Sequence, residues 1–203
     1  FLGATLFALL INSIFLKFVK TLGTKNQKGS NIIRWSSQTK PAIGGLTFFI
    51  VFLLSLACYS IFFDPEEVFK SRRLLGLIIA TLIAFVMGLA DDAYNTRPLL
   101  KFSVQVGCGL ILVLTNTTIQ VFEISELNNV LTVLWVIGMM NSINMLDNMD
   151  AITSIVSFFI LLTALIVMYI TGRLGTVDVM TVSGVLAALV GFLFFNWNPS
   201  RMY

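Results

Sequence analysis

The chain alternates between long apolar runs and short polar connections. Seven stretches contain no charged residue, and most are close to the ~20 residues that a helix needs to cross a bilayer core. These stretches are residues 1–16, 44–63, 74–90, 102–122, 127–146, 151–172 and 179–200. We predict a membrane-spanning helix in each of them. The first run, which ends before Lys17, and the short third run are the weakest candidates.

The composition indicates that these helices lie in a membrane. Hydrophobic residues make up 57% of the 203 positions, charged residues only 11%, and the mean hydropathy is +0.93. A soluble domain of this size has no core large enough to hide so much apolar surface. We therefore predict an all-α, polytopic membrane protein that forms a single domain over residues 1–203. The first run lacks the basic start and the cleavage site of a signal peptide, so we interpret it as a helix whose start is missing.

The charges of the connecting segments orient the predicted helices. Seven spans place the connections alternately on two faces, and nine Lys and Arg residues fall on one face against four on the other. The positive-inside rule assigns the first face to the cytoplasm. Four acids reduce its charge to +5, whereas six acids leave the outer face at −2. The predicted cytoplasmic face is therefore the one that attracts anions.

Four of the ten acidic residues form two close pairs at the ends of apolar runs, Asp91 with Asp92 and Asp147 with Asp150. A charged carboxylate near hydrocarbon costs several kcal/mol when nothing pairs with it. Two neighbouring acids also repel each other, so stability alone does not explain the pairs. A divalent cation that bridges an anionic ligand, such as Mg²⁺ with a nucleotide diphosphate, does explain them. The chain has no histidine, which removes the commonest general base and transition-metal ligand.

The first acid pair lies in the segment GLADDAYNTRPLLKF, residues 88–102. Lys101 follows Asp91 by ten residues, and a short loop between antiparallel helices would bring the two side chains together. Lys101 would then neutralise an anion next to the acids. The alternative is a plain solvated turn between two helices.

The second acid pair lies in the segment NSINMLDNMDAI, residues 141–152. In a helix, residues three apart are neighbours, so four side chains would form one stripe. The stripe consists of Asn141, Asn144, Asp147 and Asp150. Amide and carboxylate oxygens are ligands that Mg²⁺ prefers. The alternative is that these groups hydrogen-bond to other helices and serve packing alone.

Two further segments border predicted spans on the same face. RWSSQTKPAIGG, residues 34–45, contains Pro41, which stops a helix, and two glycines that allow a close approach of the backbone. FFNWNPSRMY, residues 194–203, ends the last span, and its Trp197 suits the membrane interface. Each of these segments alone is typical of an interfacial turn or helix end.

Taken together and in this order, the four segments resemble the motifs of the polyprenyl-phosphate N-acetylhexosamine-1-phosphate transferases. This family includes undecaprenyl-phosphate GlcNAc-1-phosphate transferases and phospho-MurNAc-pentapeptide translocases. The resemblance covers essentially the whole chain and is carried by KPAIGG, GLADD with a downstream Lys, NMLDNMDAI and FNWNPSRMY. Two features differ from the family pattern. Asn148 and Ala151 stand where it usually has Gly, and the chain stops at Tyr203, before the usual M-G-D.

The resemblance implies transfer of a sugar-1-phosphate from a UDP-sugar to undecaprenyl phosphate at the cytoplasmic face of a bacterial inner membrane, with release of UMP. Such a reaction is the first membrane step of cell-envelope polysaccharide synthesis. The family has about ten spans, so this chain is expected to be a truncated domain that is inactive as it stands. Residues 97–101 look closer to the branch that transfers GlcNAc-1-phosphate. Transfer of phospho-MurNAc-pentapeptide stays open as an alternative.

The resemblance also implies roles for individual residues. The catalytic groups would be Asp91, Asp92, Lys101, Asp147 and Asp150. The metal, Mg²⁺ or Mn²⁺, would be held by Asp91, Asp92, Asn144 and Asp147. The UDP-sugar and the polyprenyl phosphate would be bound by Lys40, Asn141, Asn144, Asn196 and Arg201. Membrane lipids are expected partners, nucleic acids are not, and a homodimer is left open.

Other protein classes fit the motifs less well. Intramembrane prenyltransferases use N-x-x-x-D-x-x-x-D, whereas this chain has Asn144-x-x-Asp147-x-x-Asp150. CDP-alcohol phosphotransferases need a D-G-x-x-A-R continuation, which is absent from the sequence. A cation-coupled transporter stays open as the non-enzyme alternative, although transporter acids usually lie near the bilayer midplane and these lie at span ends.

Overall fold

A computed structural model describes residues 1–22, 44–62, 70–94, 96–147, 151–172 and 177–197, with only the backbone described at 19–22. Within these ranges the regular secondary structure is helical, without a β-strand. The helices are α1 (Leu2–Leu22), α2 (Gly44–Phe62), α3 (Arg72–Tyr94), α4 (Pro98–Leu114), α5 (Ser125–Leu146), α6 (Ile152–Ile170) and α7 (Val177–Asn196). The predicted all-α class is confirmed.

Five of the described helices, α2, α3, α5, α6 and α7, are long and apolar enough to cross a membrane. The apolar part of α1, Leu2–Phe18, and helix α4 are shorter. Each of the seven predicted spans nevertheless contains a helix. The protein is therefore a multi-pass membrane protein, as predicted, with two helices that are shorter than a typical span.

Helix α4 ends earlier than the sequence pattern predicts. The uncharged run 102–122 predicts a helix over its whole length, but α4 begins at Pro98 and ends at Leu114. Asn116 adopts the left-handed conformation, with φ 59°. The amides of Asn116 and Thr117 donate back to carbonyls of α4 at 3.1 and 2.8 Å, as in a Schellman motif. The residues that end α4 are uncharged, so a prediction based on charged residues does not find this helix end.

The segment between α4 and α5 is held by buried side chains of α5. The Oδ1 atom of Asn128 accepts hydrogen bonds from the amides of Val121 at 3.1 Å and Phe122 at 2.9 Å, and its Nδ2 donates to the Phe122 carbonyl at 2.8 Å. The hydroxyl of Thr132 accepts from the Ile119 amide at 2.9 Å. Non-helical backbone in a membrane protein needs such partners, because water is scarce around it.

We expect Asn128→Ala to lower the free energy of unfolding by about 3 kcal/mol, because buried backbone groups lose their partners. Thermal unfolding in detergent measures this loss. Asn129→Ala is the matched control, because Asn129 is the next residue of the same helix and contributes none of these hydrogen bonds. Its effect should stay below about 0.5 kcal/mol. Equal unfolding temperatures for the two variants would contradict the assigned role of Asn128.

Contacts group the chain into two compact units, so the prediction of a single domain stays a prediction. The first unit comprises Phe1–Ser55 and Met149–Tyr203. In it, α7 packs against α1 and α6 and, through Gly184, against Ser55 of α2. A methyl group added at Gly191 would lie 2.7 Å from the Cβ of Ala8. Small residues of this kind let membrane helices approach closely.

The second unit comprises Leu56–Asn148 and contains α3, α4 and α5. Short connections make neighbouring helices antiparallel, and their contacts agree with this. The Cys108 thiol of α4 lies 3.5 Å from the Ala80 carbonyl of α3, and Gly109 of α4 lies against Val133 of α5. The end of α3, the start of α4 and the end of α5 therefore lie at the same end of this unit.

Candidate functional site

An ion pair joins the last turn of α3 to the first turn of α4. The Nζ atom of Lys101 lies 2.7 Å from Oδ2 of Asp91. The other carboxylate oxygen, Oδ1, accepts hydrogen bonds from the amide of Thr96 at 3.1 Å and from its hydroxyl at 2.8 Å. The predicted proximity of Lys101 to the first acid pair is confirmed. Thr96, just before α4, and Lys101, in its first turn, thus both contact Asp91.

The ion pair is accessible from solvent, since the side chains of Lys101 and Asp91 are 32% and 29% exposed. Asp91 has both oxygens engaged within the protein, whereas the ammonium group of Lys101 has three donors and uses one of them here. Lys101 can therefore bind a second anion. It also offsets the unfavourable position of an acid at the negative end of a helix dipole.

A reciprocal amide pair joins α4 to α5 next to this ion pair. The Nδ2 atom of Asn141 donates to Oε1 of Gln105 at 2.9 Å, and Nε2 of Gln105 donates to Oδ1 of Asn141 at 3.2 Å. Asn141 also donates to the carbonyl of Ile137, one turn back in its own helix, at 2.9 Å. Asn141 was predicted to bind substrate; the structure shows its amide nitrogen engaged with protein groups.

The predicted stripe on α5 is helical as far as the structure describes it. Helix α5 continues to Leu146, so Asn141 and Asn144 lie on one face of it, and Asp147 is its C-cap residue with ψ 42°. The side chains of Asn144 and Asp147 are exposed. They extend from the same end of the unit as Lys101. Amide and carboxylate oxygens thus lie beyond the Gln105–Asn141 pair, towards the end of the helix.

Within the first unit, Asn196 at the end of α7 holds the start of α6. Its buried side chain accepts hydrogen bonds at Oδ1 from the Ala151 amide at 2.9 Å and from the Ser154 hydroxyl at 3.3 Å. Ala151 precedes α6 with φ 66°, a conformation that is costly for a residue with a Cβ atom. The hydrogen bond to Asn196 supports this strained position. Asn196 was predicted to bind substrate, and that role stays a prediction.

We expect Asn196→Ala to lower the free energy of unfolding by about 2 kcal/mol, since two hydrogen bonds and a helix start lose their acceptor. Ser154→Ala removes only the longer of the two bonds and should cost less than about 1 kcal/mol. Thermal unfolding in detergent compares the two variants. If Ser154→Ala destabilised the protein as much as Asn196→Ala does, the hydrogen bond from Ala151 to Asn196 would contribute nothing to stability.

The remaining predicted site residues divide into two groups. Asp92 is described and has an exposed side chain. Lys40, Asp150 and Arg201 lie outside the described residues. The individual roles predicted for all of the site residues stay predictions. What the structure adds is that Asp91, Lys101, Asn141, Asn144 and Asp147 belong to one unit and to one end of it.

The metal prediction stays a prediction. Among the residues that the structure describes, no three His, Cys, Asp or Glu side chains come together in a way that could hold a metal ion. Asn144, Asp147 and Asp92 are exposed residues, and their side-chain oxygens are of the type that a hard cation binds together with water and phosphate oxygens. Asp91 fits less well, because Lys101 and Thr96 engage both of its oxygens.

Sequence reasoning missed two residues that organise the site, Thr96 and Gln105. Thr96 lies in the segment that contains the first acid pair, and a Thr within a short turn is a frequent hydrogen-bond donor to nearby acids. Gln105 is an amide side chain within an apolar helix, which marks it as a contact between helices. Neither signal identifies the partner, because the partner depends on how the helices pack.

These features define a class: a multi-pass helical membrane protein with charged and amide side chains gathered at helix ends. The sequence model of Glycosyl transferase family 4 matches residues 74–203, which is more than half of the chain. The chain belongs to glycosyl transferase family 4. This match includes α4, α5, all but the first two residues of α3, and both acid pairs.

A curated relative agrees with this assignment. The "Probable undecaprenyl-phosphate N-acetylglucosaminyl 1-phosphate transferase" of Bacillus subtilis (strain 168) is 27% identical to this chain over 214 aligned residues. The alignment covers 100% of the chain and 56% of the relative, so the chain spans little more than half of the relative's length. The family expected from the four sequence motifs is thus confirmed.

Proposed function

We propose that this protein transfers a sugar-1-phosphate from a UDP-sugar to a polyprenyl phosphate. The observation that supports this most directly is the ion pair of Asp91 and Lys101, at the end of the unit where α5 presents Asn144 and Asp147. The ammonium group of Lys101, which has further hydrogen-bond donors available, lies at the same helix ends as these amide and carboxylate oxygens. A lipid phosphate that cannot leave the bilayer and a nucleotide that cannot enter it meet at such a place.

In the proposed reaction, a phosphate oxygen of the lipid attacks the phosphorus atom that carries the sugar. A new P–O bond forms and gives a lipid diphosphate sugar. The bond from that phosphorus to the bridging oxygen of the donor breaks, and its electron pair leaves with UMP. A phosphate monoester has a second pKa near ~6 and is mostly ionised at pH 7. The attacking oxygen therefore needs no strong base.

The barrier to this reaction is the approach of two anions, so the protein contributes mainly neutralisation and alignment. Lys101 binds phosphate oxygens with the donors that its ion pair leaves available. Asp91 holds the ammonium group in place, and Thr96 holds Asp91. Asn144 and Asp147 orient the diphosphate from the end of α5. The charges are thus arranged before the substrates arrive.

The proposed site includes a divalent cation, Mg²⁺ or Mn²⁺. Asn144, Asp147 and Asp92 would hold it through oxygen atoms, the ligand type that these cations prefer. When bound, it neutralises charge on the diphosphate of the donor. We assign Asp91 to the positioning of Lys101 instead, because both of its oxygens are already engaged. EDTA should abolish transfer, and added Mg²⁺ should restore it.

The finer part of the proposal concerns the substrates and the location. GlcNAc-1-phosphate and undecaprenyl phosphate are supported by the name of the Bacillus subtilis relative and by residues 97–101. The cytoplasmic face of a bacterial inner membrane is supported by the excess of Lys and Arg, nine against four, on the predicted face that also carries the acid pairs. Phospho-MurNAc-pentapeptide remains the second donor group to compare.

The proposal is tested with the protein encoded by the complete open reading frame that contains this chain. Purified in detergent and given undecaprenyl phosphate with UDP-N-acetylglucosamine, it should release UMP, which a coupled assay measures. Omission of the lipid is the control and should stop the release. UDP-MurNAc-pentapeptide in place of the first donor tests the alternative. Folded protein that releases no UMP with either donor would reject the proposed function.

A further inference from the structure

We propose that Gln105 and Asn141 are positioning residues, which set how α4 lies against α5 and thereby the spacing between Lys101 and Asn144. This inference rests on the proposed function, in which Lys101 and Asn144 act on the same diphosphate. The amide pair itself does not touch the substrates in this assignment. Its two interhelical hydrogen bonds, at 2.9 and 3.2 Å, run in opposite directions between the same two side chains.

On both helices, the Gln105–Asn141 pair lies about one helical turn deeper in the unit than the proposed site residues Lys101 and Asn144. Gln105 follows Lys101 by four residues, about one turn and roughly 6 Å along α4. Asn144 follows Asn141 by three residues, which again is close to one turn of α5. A shift of α5 by one turn past α4 would break both interhelical hydrogen bonds. It would also move Asn144 by one turn relative to Lys101.

The orientation of the Asn141 amide is fixed by more than its partner. Its nitrogen has two hydrogens, of which one is donated to Gln105 and the other to the carbonyl of Ile137. Its oxygen accepts from Gln105. Because all three hydrogen bonds have ordinary lengths, the Asn141 amide is held in a single orientation, with the same edge towards Gln105 of α4. An amide held in this way is suited to keep a distance between helices.

A second contact, deeper in the unit, brings the two helices close together. A methyl group added to Gly109, one turn after Gln105, would lie 3.0 Å from the Cα atom of Val133 in α5. The helices are therefore in close contact there. A close contact between apolar surfaces allows sliding along the helix axis, whereas a directional amide pair opposes it. The Gln105–Asn141 pair adds the directional part.

The exposure of the two side chains distinguishes a positioning role from a purely stabilising contact between helices. The side chain of Asn141 is exposed and that of Gln105 is half-buried. Neither side chain is enclosed by the protein, so truncation leaves no buried cavity and loss of the pair should cost little stability. A shift of about 1 Å in the alignment of reacting groups, in contrast, lowers a rate strongly. The pair should therefore affect turnover more than folding.

The first experiment measures kcat, KM and unfolding temperature for four variants of the complete protein: Q105A, N141A, the double variant Q105A/N141A, and the exchange Q105N/N141Q. Each single variant should lower kcat by about 10-fold, with KM changed less than about twofold. The double variant should be no slower than the single variants, because they break the same pair. The exchange keeps the combined length of the two side chains and should restore most of kcat. Unfolding temperatures should stay within about 2 °C of the wild type.

Ser103→Ala is the matched control, because Ser103 is an exposed polar residue of α4 whose hydroxyl donates to the Leu99 carbonyl of its own helix. It should leave kcat unchanged. Single variants with normal kcat, losses that add up in the double variant, or an exchange that restores nothing would each overturn the inference. A loss of activity that only follows the loss of folded protein would do so as well.

A second measurement does not depend on turnover. Spin labels on cysteines introduced at Ser103 and Ser142, with Cys58 and Cys108 replaced by Ala, report the distance between α4 and α5 by pulsed EPR. The distance distribution should broaden or shift in Q105A and N141A and recover in the exchange. A wild-type protein that releases no UMP but shows this response would reject the proposed function and retain the register role. An unchanged distribution in both single variants would overturn the inference, whatever the activity.

Discussion

Asp91→Asn is expected to slow UMP release by about 100-fold or more, a loss typical of a disturbed charge-stabilising group. Asparagine can still accept the hydrogen bonds of Thr96, but it lacks the charge that holds the Nζ atom of Lys101 at 2.7 Å. A partly exposed ion pair contributes at most about 1 kcal/mol to stability. The variant should therefore remain folded. Initial rates of UMP release and thermal unfolding in detergent measure both effects.

Glu123→Gln is the matched control for Asp91→Asn. Glu123 is an exposed acid of the same unit, in the segment between α4 and α5, at the end away from Lys101. Its replacement removes the same charge and should leave the rate within about twofold of the wild type. Near-normal turnover of Asp91→Asn, measured beside this control, would remove Asp91 from the site.

Asp147→Asn is expected to abolish transfer with an equally large effect, about 100-fold or more, because it removes a charged oxygen ligand from the end of α5. Its effect on stability should have the opposite sign. Asp147 is exposed and caps the C-terminal end of its helix, where a negative charge is unfavourable. The variant should therefore be as stable as the wild type or more stable by about 0.3–0.5 kcal/mol. The same two assays test it.

Glu126→Gln provides the counterpart at the other end of α5. Glu126 lies in the first turn, where a negative charge is favourable, so its loss should lower stability slightly and leave UMP release unchanged. The two variants thus differ in the sign of the stability change as well as in activity. If Asp147→Asn kept its activity, or lost it together with its folding, Asp147 would have no direct part in the reaction.

The helices and their order were predictable because a spanning helix needs ~20 apolar residues and seven such runs stand out in the sequence. The contact between Asp91 and Lys101 was predictable for a similar reason. Three residues separate α3 from α4, so the two helices must be antiparallel and their adjoining ends must meet. In both cases the interaction is local along the chain, and local spacing is enough to predict it.

The parts that were not predicted depend on packing or on uncharged signals. The stop of α4 rests on the left-handed conformation of Asn116, within a run that a charge count treats as one span. Asn128 stands in the next apolar run, and only the folded chain shows that it binds the preceding segment. The partner of Gln105 lies 36 positions away, and it is set by the register of α4 against α5. Spacing along the sequence contains no information on that register.

The early end of α4 bears on the lipids around the protein. A helix of 17 residues is about 25 Å long, several ångströms less than a hydrocarbon core of about 30 Å. One consequence is that the bilayer thins beside α4. The other is that residues 115–124 lie within the hydrocarbon core, at little cost because three of their backbone amides already donate hydrogen bonds to Asn128 and Thr132. Either adjustment favours a thin membrane. In a thick, highly ordered bilayer, the energetic cost of hydrophobic mismatch would be largest at the C-terminal end of α4.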